Sequence, residues 1–181
     1  IWYRVIGDPG TTPIIMLHGG PRGTSAYLYP LAVLSDQWQV IIFDQPGTGR
    51  SGNLTDTTLM TMEYMVTRIH EFISELGLKE FYLYGHSWGT MLGLDYYLAY
   101  PEGILALIQN SPLASTDMWL ADADSLIATL PDSIRVAIEK GERTGNFSAP
   151  GYQEAIDVYY HRFISRHDNV ITTPWDVEYV P

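Results

Sequence analysis

The sequence contains no cysteine. Disulfide scaffolds, thiol nucleophiles and cysteine-ligated zinc are therefore excluded for this chain, and a reducing, cytoplasmic setting is expected. Basic residues are scarce: Lys and Arg total 10 against 21 Asp and Glu, for a formal net charge of −11. Nucleic acid and anionic membrane surfaces are poor partners for such a chain, because both need a basic face. Long apolar runs are missing too, and none approaches the roughly eighteen residues of a membrane span. The first residue is Ile1, so a targeting segment, if the gene encodes one, lies upstream. What is abundant is apolar character. It makes up 46% of 181 residues, enough to bury the core of an ordinary domain.

Short apolar runs alternate with helical periodicity along the first two-thirds. Ile14–Leu17 ends in His18-Gly19-Gly20-Pro21, Val40–Phe43 in Asp44-Gln45-Pro46-Gly47, Phe81–Tyr84 at Gly85, and Leu105–Ile108 in Asn110-Ser111-Pro112. Each reads as a buried strand opening into a loop. Met62–Leu76 carries apolar residues at helical spacing and is stopped by Gly77. Trp88–Tyr100 is apolar nearly all round, as expected of a helix packed tightly on a sheet. Such alternation implies a mostly parallel sheet covered by helices on both faces. From Ser115 to Tyr160 no strand is expected. Met118–Leu130, a helix starting at Pro131-Asp132-Ser133 and running to Lys140, and Gly151–Phe163 are the helical patterns, with a polar spacer over Gly141–Pro150. The expected division is residues 1–114 as the sheet-bearing core and 115–181 as a helical cap.

Gly85-His86-Ser87-Trp88-Gly89 is the strongest chemical signal. The pattern G-x-S-x-G gains meaning from its place between an apolar strand and an apolar helix. A sharp strand-to-helix turn holds the serine in a strained backbone conformation and projects its hydroxyl. Gly85 and Gly89 let neighbouring backbone pass close by, and the helix that follows turns its positive end toward developing negative charge. Ser87 is thus the candidate nucleophile. The loop at His18-Gly19-Gly20 can aim a backbone N–H into the same site. Gly20 is the first choice and Gly19 the second, and with the N–H of Trp88 it would form an oxyanion hole. Asp44 is read as loop scaffolding, because a hydrolase triad runs serine, acid, histidine along the chain. Gly47-x-Gly49 lacks the third glycine of a nucleotide fingerprint. No spacing of His, Asp or Glu suggests a metal site, so no cofactor is expected. Among the histidines, His18 reads as structural, His70 as lying on the exposed side of its helix, and His86 as pointing away from the serine. Asp117 with His161 or His167 would give a compact triad of the right chain order.

These residues resemble the proline iminopeptidase (prolyl aminopeptidase) branch of the α/β-hydrolases, which includes the tricorn-interacting aminopeptidases. The likeness rests on His18-Gly19-Gly20-Pro21, on Asp44-Gln45 with Gly47-x-Gly49-Arg50-Ser51, and on Gly85-His86-Ser87-Trp88-Gly89. The helical segment adds Leu130-Pro131, Gly151–Ala155 and Tyr159-Tyr160-His161. The resemblance implies an α/β-hydrolase fold with a helical cap, Ser87 as nucleophile, and Gly20 and Trp88 as the oxyanion hole. It further implies a serine aminopeptidase or amidase acting on small peptides or amino-acid amides. Two departures stand out: Arg22 follows Pro21 where the family usually has glycine, and Pro46 replaces a longer side chain. In this fold the triad's acid and histidine follow later strands. Those C-terminal strands, the two triad residues and the end of the cap are expected beyond Pro181, which makes the chain alone an inactive fragment. Two other readings share the elbow: a carboxylesterase or lipase, distinguished by activity on esters rather than amides, and a non-catalytic hydrolase-like binding module, distinguished by a genuine stop after Pro181.

Overall fold

The computed structural model describes residues 1–20 and 23–165. The chain divides into two compact units, the first running to Ala114 and the second starting at Ser115.

The first unit is built on a five-stranded sheet. Its strands are β1 (Tyr3–Ile6), β2 (Pro13–Leu17), β3 (Gln39–Phe43), β4 (Phe81–His86) and β5 (Ile104–Asn110), in the order β1-β3-β2-β4-β5. β1 pairs antiparallel with β3, and all other pairings are parallel. The apolar runs dictate this arrangement. Alternate side chains of a strand face opposite sides, and both sides of the central strands are apolar. Ile15, Leu17, Ile41, Phe43, Phe81 and Leu83 lie under α1 (Met62–Glu75) and α2 (Trp88–Ala99). Ile14, Met16, Val40, Ile42 and Tyr84 lie under the 3-10 stretch Ser25–Asp36, through Leu28 and its neighbours. The β-α order places the ends of β2, β3 and β4, with their glycine-rich loops, along one edge of the sheet.

Several features depart from the sequence reading. β1 was not expected: Tyr3-Arg4-Val5-Ile6 is mostly exposed and carries no apolar run, and it is recruited through pairing with β3. Covering on both faces fails at β5, where Leu105 and Ile108 stay 48% and 40% exposed. α2 is not buried all round. Its buried residues are Gly89, Thr90, Leu92, Gly93 and Tyr96, whereas Leu98 is 71% exposed. His70 does not point to solvent. Its ring stacks on Tyr100 with centroids 3.8 Å apart, and its Nδ1 lies 3.3 Å from the Tyr96 hydroxyl. One position beyond Ile69, it sits on the flank of the apolar stripe that meets α2.

The second unit is helical throughout its described residues: α3 (Thr116–Ile127), α4 (Asp132–Thr144), α5 (Pro150–Tyr159) and a π-helical turn at Tyr160–Ile164. Its core is small, with Leu130, Ile138, Ala155 and Tyr159 at the centre. α4 runs through Gly141 instead of stopping there. A Cβ at Gly141 would lie 2.1 Å from a ring carbon of Tyr152, so this glycine serves helix–helix approach rather than a turn. The turn comes at Gly145, whose φ of 68° is left-handed. No helix among the described residues is long and apolar enough to cross a membrane.

Candidate active site

Ser87 alone makes the turn between β4 and α2. β4 ends at His86, α2 begins at Trp88, and Ser87 between them has φ 51° and ψ −122°. Positive φ in a residue with a Cβ costs about 1–3 kcal/mol and persists only where the surroundings over-determine it. They do so here. Ser87 N–H donates to Asn110 O at 3.1 Å, and Ser87 O accepts from Thr90 N–H at 2.8 Å and from Thr90 Oγ1 at 2.6 Å. Thr90 Oγ1 in turn accepts from Leu113 N–H at 2.8 Å. Close packing locks the same turn. A Cβ on Gly89 would lie 2.2 Å from Leu17 O, and one on Gly85 would lie 2.4 Å from Gly89 O. Only glycine lets the first turn of α2 sit against the ends of β2 and β4.

The loop after β2 is pinned beside this turn. His18 is fully buried. Gln45 N–H donates to its Nε2 at 3.0 Å, which leaves the ring proton on Nδ1, and Nδ1 donates to Gly19 O at 2.8 Å. Burial pushes the His18 pKa below its usual 6.5 and favours this neutral form. In a trans peptide the N–H points opposite its C=O. Fixing Gly19 O on His18 therefore turns Gly20 N–H away from His18. Gln45 Nε2 donates to His18 O at 2.7 Å, closing the brace. Asp44 is scaffolding, as expected. Its buried carboxylate accepts from Ser25 N–H and Ser25 Oγ at 2.8 and 2.7 Å and from Arg50 N–H at 2.9 Å.

The two candidate donors of the hole differ in availability from the runner-up. Gly19 N–H is taken: it donates to the Tyr27 hydroxyl at 2.6 Å. Gly20, at φ 135°, and Trp88 have no backbone N–H partner among the described residues. Gly19 itself abuts the serine, since a Cβ on it would lie 3.1 Å from Ser87 Cβ. Beside Trp88 is a cavity of about 180 Å³, lined by Thr48, Leu54, Met60, Met62 and Met65. Arg22 and Pro21 lie outside the described residues.

A base for the serine is a different matter. Among the described residues no side chain hydrogen-bonds Ser87 Oγ. In the first unit His18 is engaged by Gln45 and Gly19, His70 by Tyr96 and Tyr100, and His86 by Tyr27. Asp117 and His161 belong to the second unit, and both are exposed there. His167 lies outside the described residues. No group of His, Cys, Asp or Glu among the described residues could hold a metal ion. Sequence reasoning missed Tyr27 and Thr90. A threonine in the first turn of a largely apolar helix is a signal for the second; nothing local marks the first.

The chain matches the family model described as the alpha/beta hydrolase fold over residues 12–180. It is 36% identical over 157 residues to the proline iminopeptidase of Heyndrickxia coagulans, covering 87% of this chain and 54% of that one. Among solved structures, VinJ superposes with a TM-score of 0.88 at 31% identity, covering 92% of this chain and 58% of VinJ. The proline iminopeptidase of Mycobacterium smegmatis superposes with a TM-score of 0.79 at 34% identity, covering 98% and 61%. The chain thus spans between half and two-thirds of the length of these relatives.

Proposed function

Because the chain belongs to the α/β-hydrolase fold family, we propose that the complete protein is a serine hydrolase that works through Ser87. Its reaction is release of an N-terminal residue, proline or similar, from short peptides, or hydrolysis of amino-acid amides. The hydrolase class and the peptide substrate are supported by similarity to the proline iminopeptidases. The observation that carries the serine mechanism is the backbone of Ser87, held at positive φ between a strand and a helix, with the His18–Gly20 loop against it.

The chemistry follows from that placement. Ser87 Oγ attacks the carbonyl carbon of the scissile amide while a histidine, held by an acid, takes the hydroxyl proton. The carbonyl oxygen becomes an oxyanion between Gly20 N–H and Trp88 N–H. Donors fixed before the charge develops stabilise it without the cost of reorganisation. The C–N bond breaks, the amine leaves with the proton from histidine, and the aminoacyl group remains as an ester on Ser87. Water, deprotonated by the same histidine, hydrolyses that ester and restores the serine.

The first unit's own histidines are all engaged elsewhere, so the acid and base are assigned to other parts of the complete protein. Residues 1–114 are the N-terminal part of the hydrolase core in this reading, and residues 115–181 are its helical cap. Small-molecule substrates and a cytoplasmic setting fit the acidic, cysteine-free sequence.

The test is Ser87→Ala in the complete protein, assayed on proline and alanine arylamides and on a short-chain ester. The expected loss is at least about three orders of magnitude in kcat with the fold intact. Near-normal turnover would remove Ser87 from the mechanism. Ser87-dependent turnover of the ester alone would move the protein to the esterases. Ile1–Pro181 expressed by itself is expected to turn over neither substrate, because an unassisted serine is a weak nucleophile.

A further inference from the structure

The two proposed donors of the oxyanion hole sit on separate elements. Gly20 rides on the loop after β2, and Trp88 opens α2 directly after β4. Their spacing must hold to a fraction of an ångström for both to meet one oxygen. Yet Gly19-Gly20 is the most freely rotating dipeptide a chain can contain, and Gly20 is exposed. Something must tie the loop to the elbow.

We propose that Tyr27, held by His86, is that tie: a positioning residue that sets the oxyanion loop against the nucleophile strand. Gly19 N–H donates to Tyr27 Oη at 2.6 Å. The same oxygen is hydrogen-bonded to His86 Nδ1, 2.8 Å away. The two rings meet edge to face with centroids 5.2 Å apart, which restricts the phenol further. His86 is the last residue of β4 and adjoins Ser87. Tyr27 comes from the 3-10 stretch over the opposite sheet face, where it packs against the core of Ile14, Met16 and Tyr84. One hydroxyl thus joins three elements at the point where the loop, the strand and the elbow meet.

The geometry at Gly19 explains why this contact matters. Its carbonyl is held by His18 Nδ1 and its amide by Tyr27. With both groups fixed, rotation about the Gly19 backbone is blocked and Gly20 N–H keeps one direction. Removing the Tyr27 hydroxyl frees the amide side, and the Gly19–Gly20 peptide can then swing about its single remaining anchor. Burial also lowers the pKa of His86 from its usual 6.5, which favours the neutral imidazole near neutral pH. The inference rests on Ser87 being the nucleophile.

The test uses the complete protein and three variants. Tyr27→Phe should lower kcat about 10- to 100-fold, short of the 10²–10³ seen when a hole donor is lost outright. KM should stay within about twofold, because the ground-state carbonyl does not draw on the hole as the oxyanion does. Affinity for a boronic acid that forms a tetrahedral adduct on Ser87 should fall by the same factor as kcat. His86→Leu should lower kcat less, and combining it with Tyr27→Phe should add nothing, since both act through one contact. His86→Gln, which offers an amide oxygen to the phenol, should recover most of what His86→Leu loses. An unchanged kcat and boronate affinity in Tyr27→Phe would overturn the proposal, as would a loss confined to KM. Should Tyr27→Phe not fold, the His86 pair decides: equal rates for Leu and Gln overturn it. Turnover that survives Ser87→Ala would instead sink the nucleophile assignment, a result the Tyr27 and His86 variants cannot mimic.

Discussion

Gly89 in α2 and Gly141 in α4 are each a glycine inside a helix, and each allows an approach that a methyl group would block. What approaches differs. At Gly89 it is backbone, Leu17 O and His18 O, within 2.2 and 2.8 Å of where a Cβ would stand. At Gly141 it is the ring of Tyr152. Backbone in the centre of a sheet cannot give way, because β2 is hydrogen-bonded on both sides. A tyrosine ring at the margin of a small helical core can turn at moderate cost. The first unit therefore holds its candidate site by over-determination. Its elbow is fixed by Asn110, Thr90 and the glycine contacts together. The second unit holds its helices through a few side chains.

The sharpest way to break this contrast is Gly89→Ala. It should destabilise the first unit by at least about 3 kcal/mol. Any folded protein should also lose activity, because α2 and Trp88 N–H must shift. Chemical denaturation followed by tryptophan fluorescence, alongside turnover, checks both. Gly141→Ala should cost less, about 1–2 kcal/mol, since displacement of Tyr152 is partly offset by better helix propensity. That loss should appear in unfolding of the second unit and leave hydrogen-exchange protection of β2–β4 unchanged. Equal costs at the two glycines would show that the ring is as immovable as the sheet.

A pH titration separates the regions by another route. His18 and His86 both have pKa values lowered by burial in the folded state. Above the unfolded value near 6.5 both states carry neutral imidazole and stability is full. As pH falls below it, the unfolded chain binds protons that the folded one refuses, so stability declines. The first unit should therefore lose thermal stability between pH 7 and 5, and replacing His18 or His86 should flatten the slope. A slope that survives both replacements would assign the proton uptake elsewhere. The smallest effect belongs to Gly151→Ala. Nothing lies within 4 Å of a Cβ there, so the change should stabilise by no more than about 0.5 kcal/mol.

How far the sequence could be read follows the same division. The runs Ile14–Leu17 and Val40–Phe43 announce buried parallel strands, because strands apolar on both faces need cover on both. Ser87 and its flanking glycines were legible since the elbow's steric demand is local. Asp44 as scaffold was legible from chain order. The stretch Ser25–Asp36 was not, for it has no helical or strand period and carries Pro30. Tyr27 was hidden with it: its partners Gly19 and His86 lie 8 and 59 residues away and meet it only once the sheet has formed. Gly141 opens a polar, turn-rich stretch in the sequence, which marks a spacer and not a helix. Only the packing of Tyr152 shows why the helix runs through it.

The central claim is that the backbone fixed at Ser87 makes this serine, and no other, the nucleophile. Treating the complete protein with a fluorophosphonate and locating the label by peptide mass tests it directly. One label per chain on the peptide containing Ser87, lost on prior denaturation, is the result expected. A label on a different serine, or none on Ser87 while turnover is abolished, would contradict it.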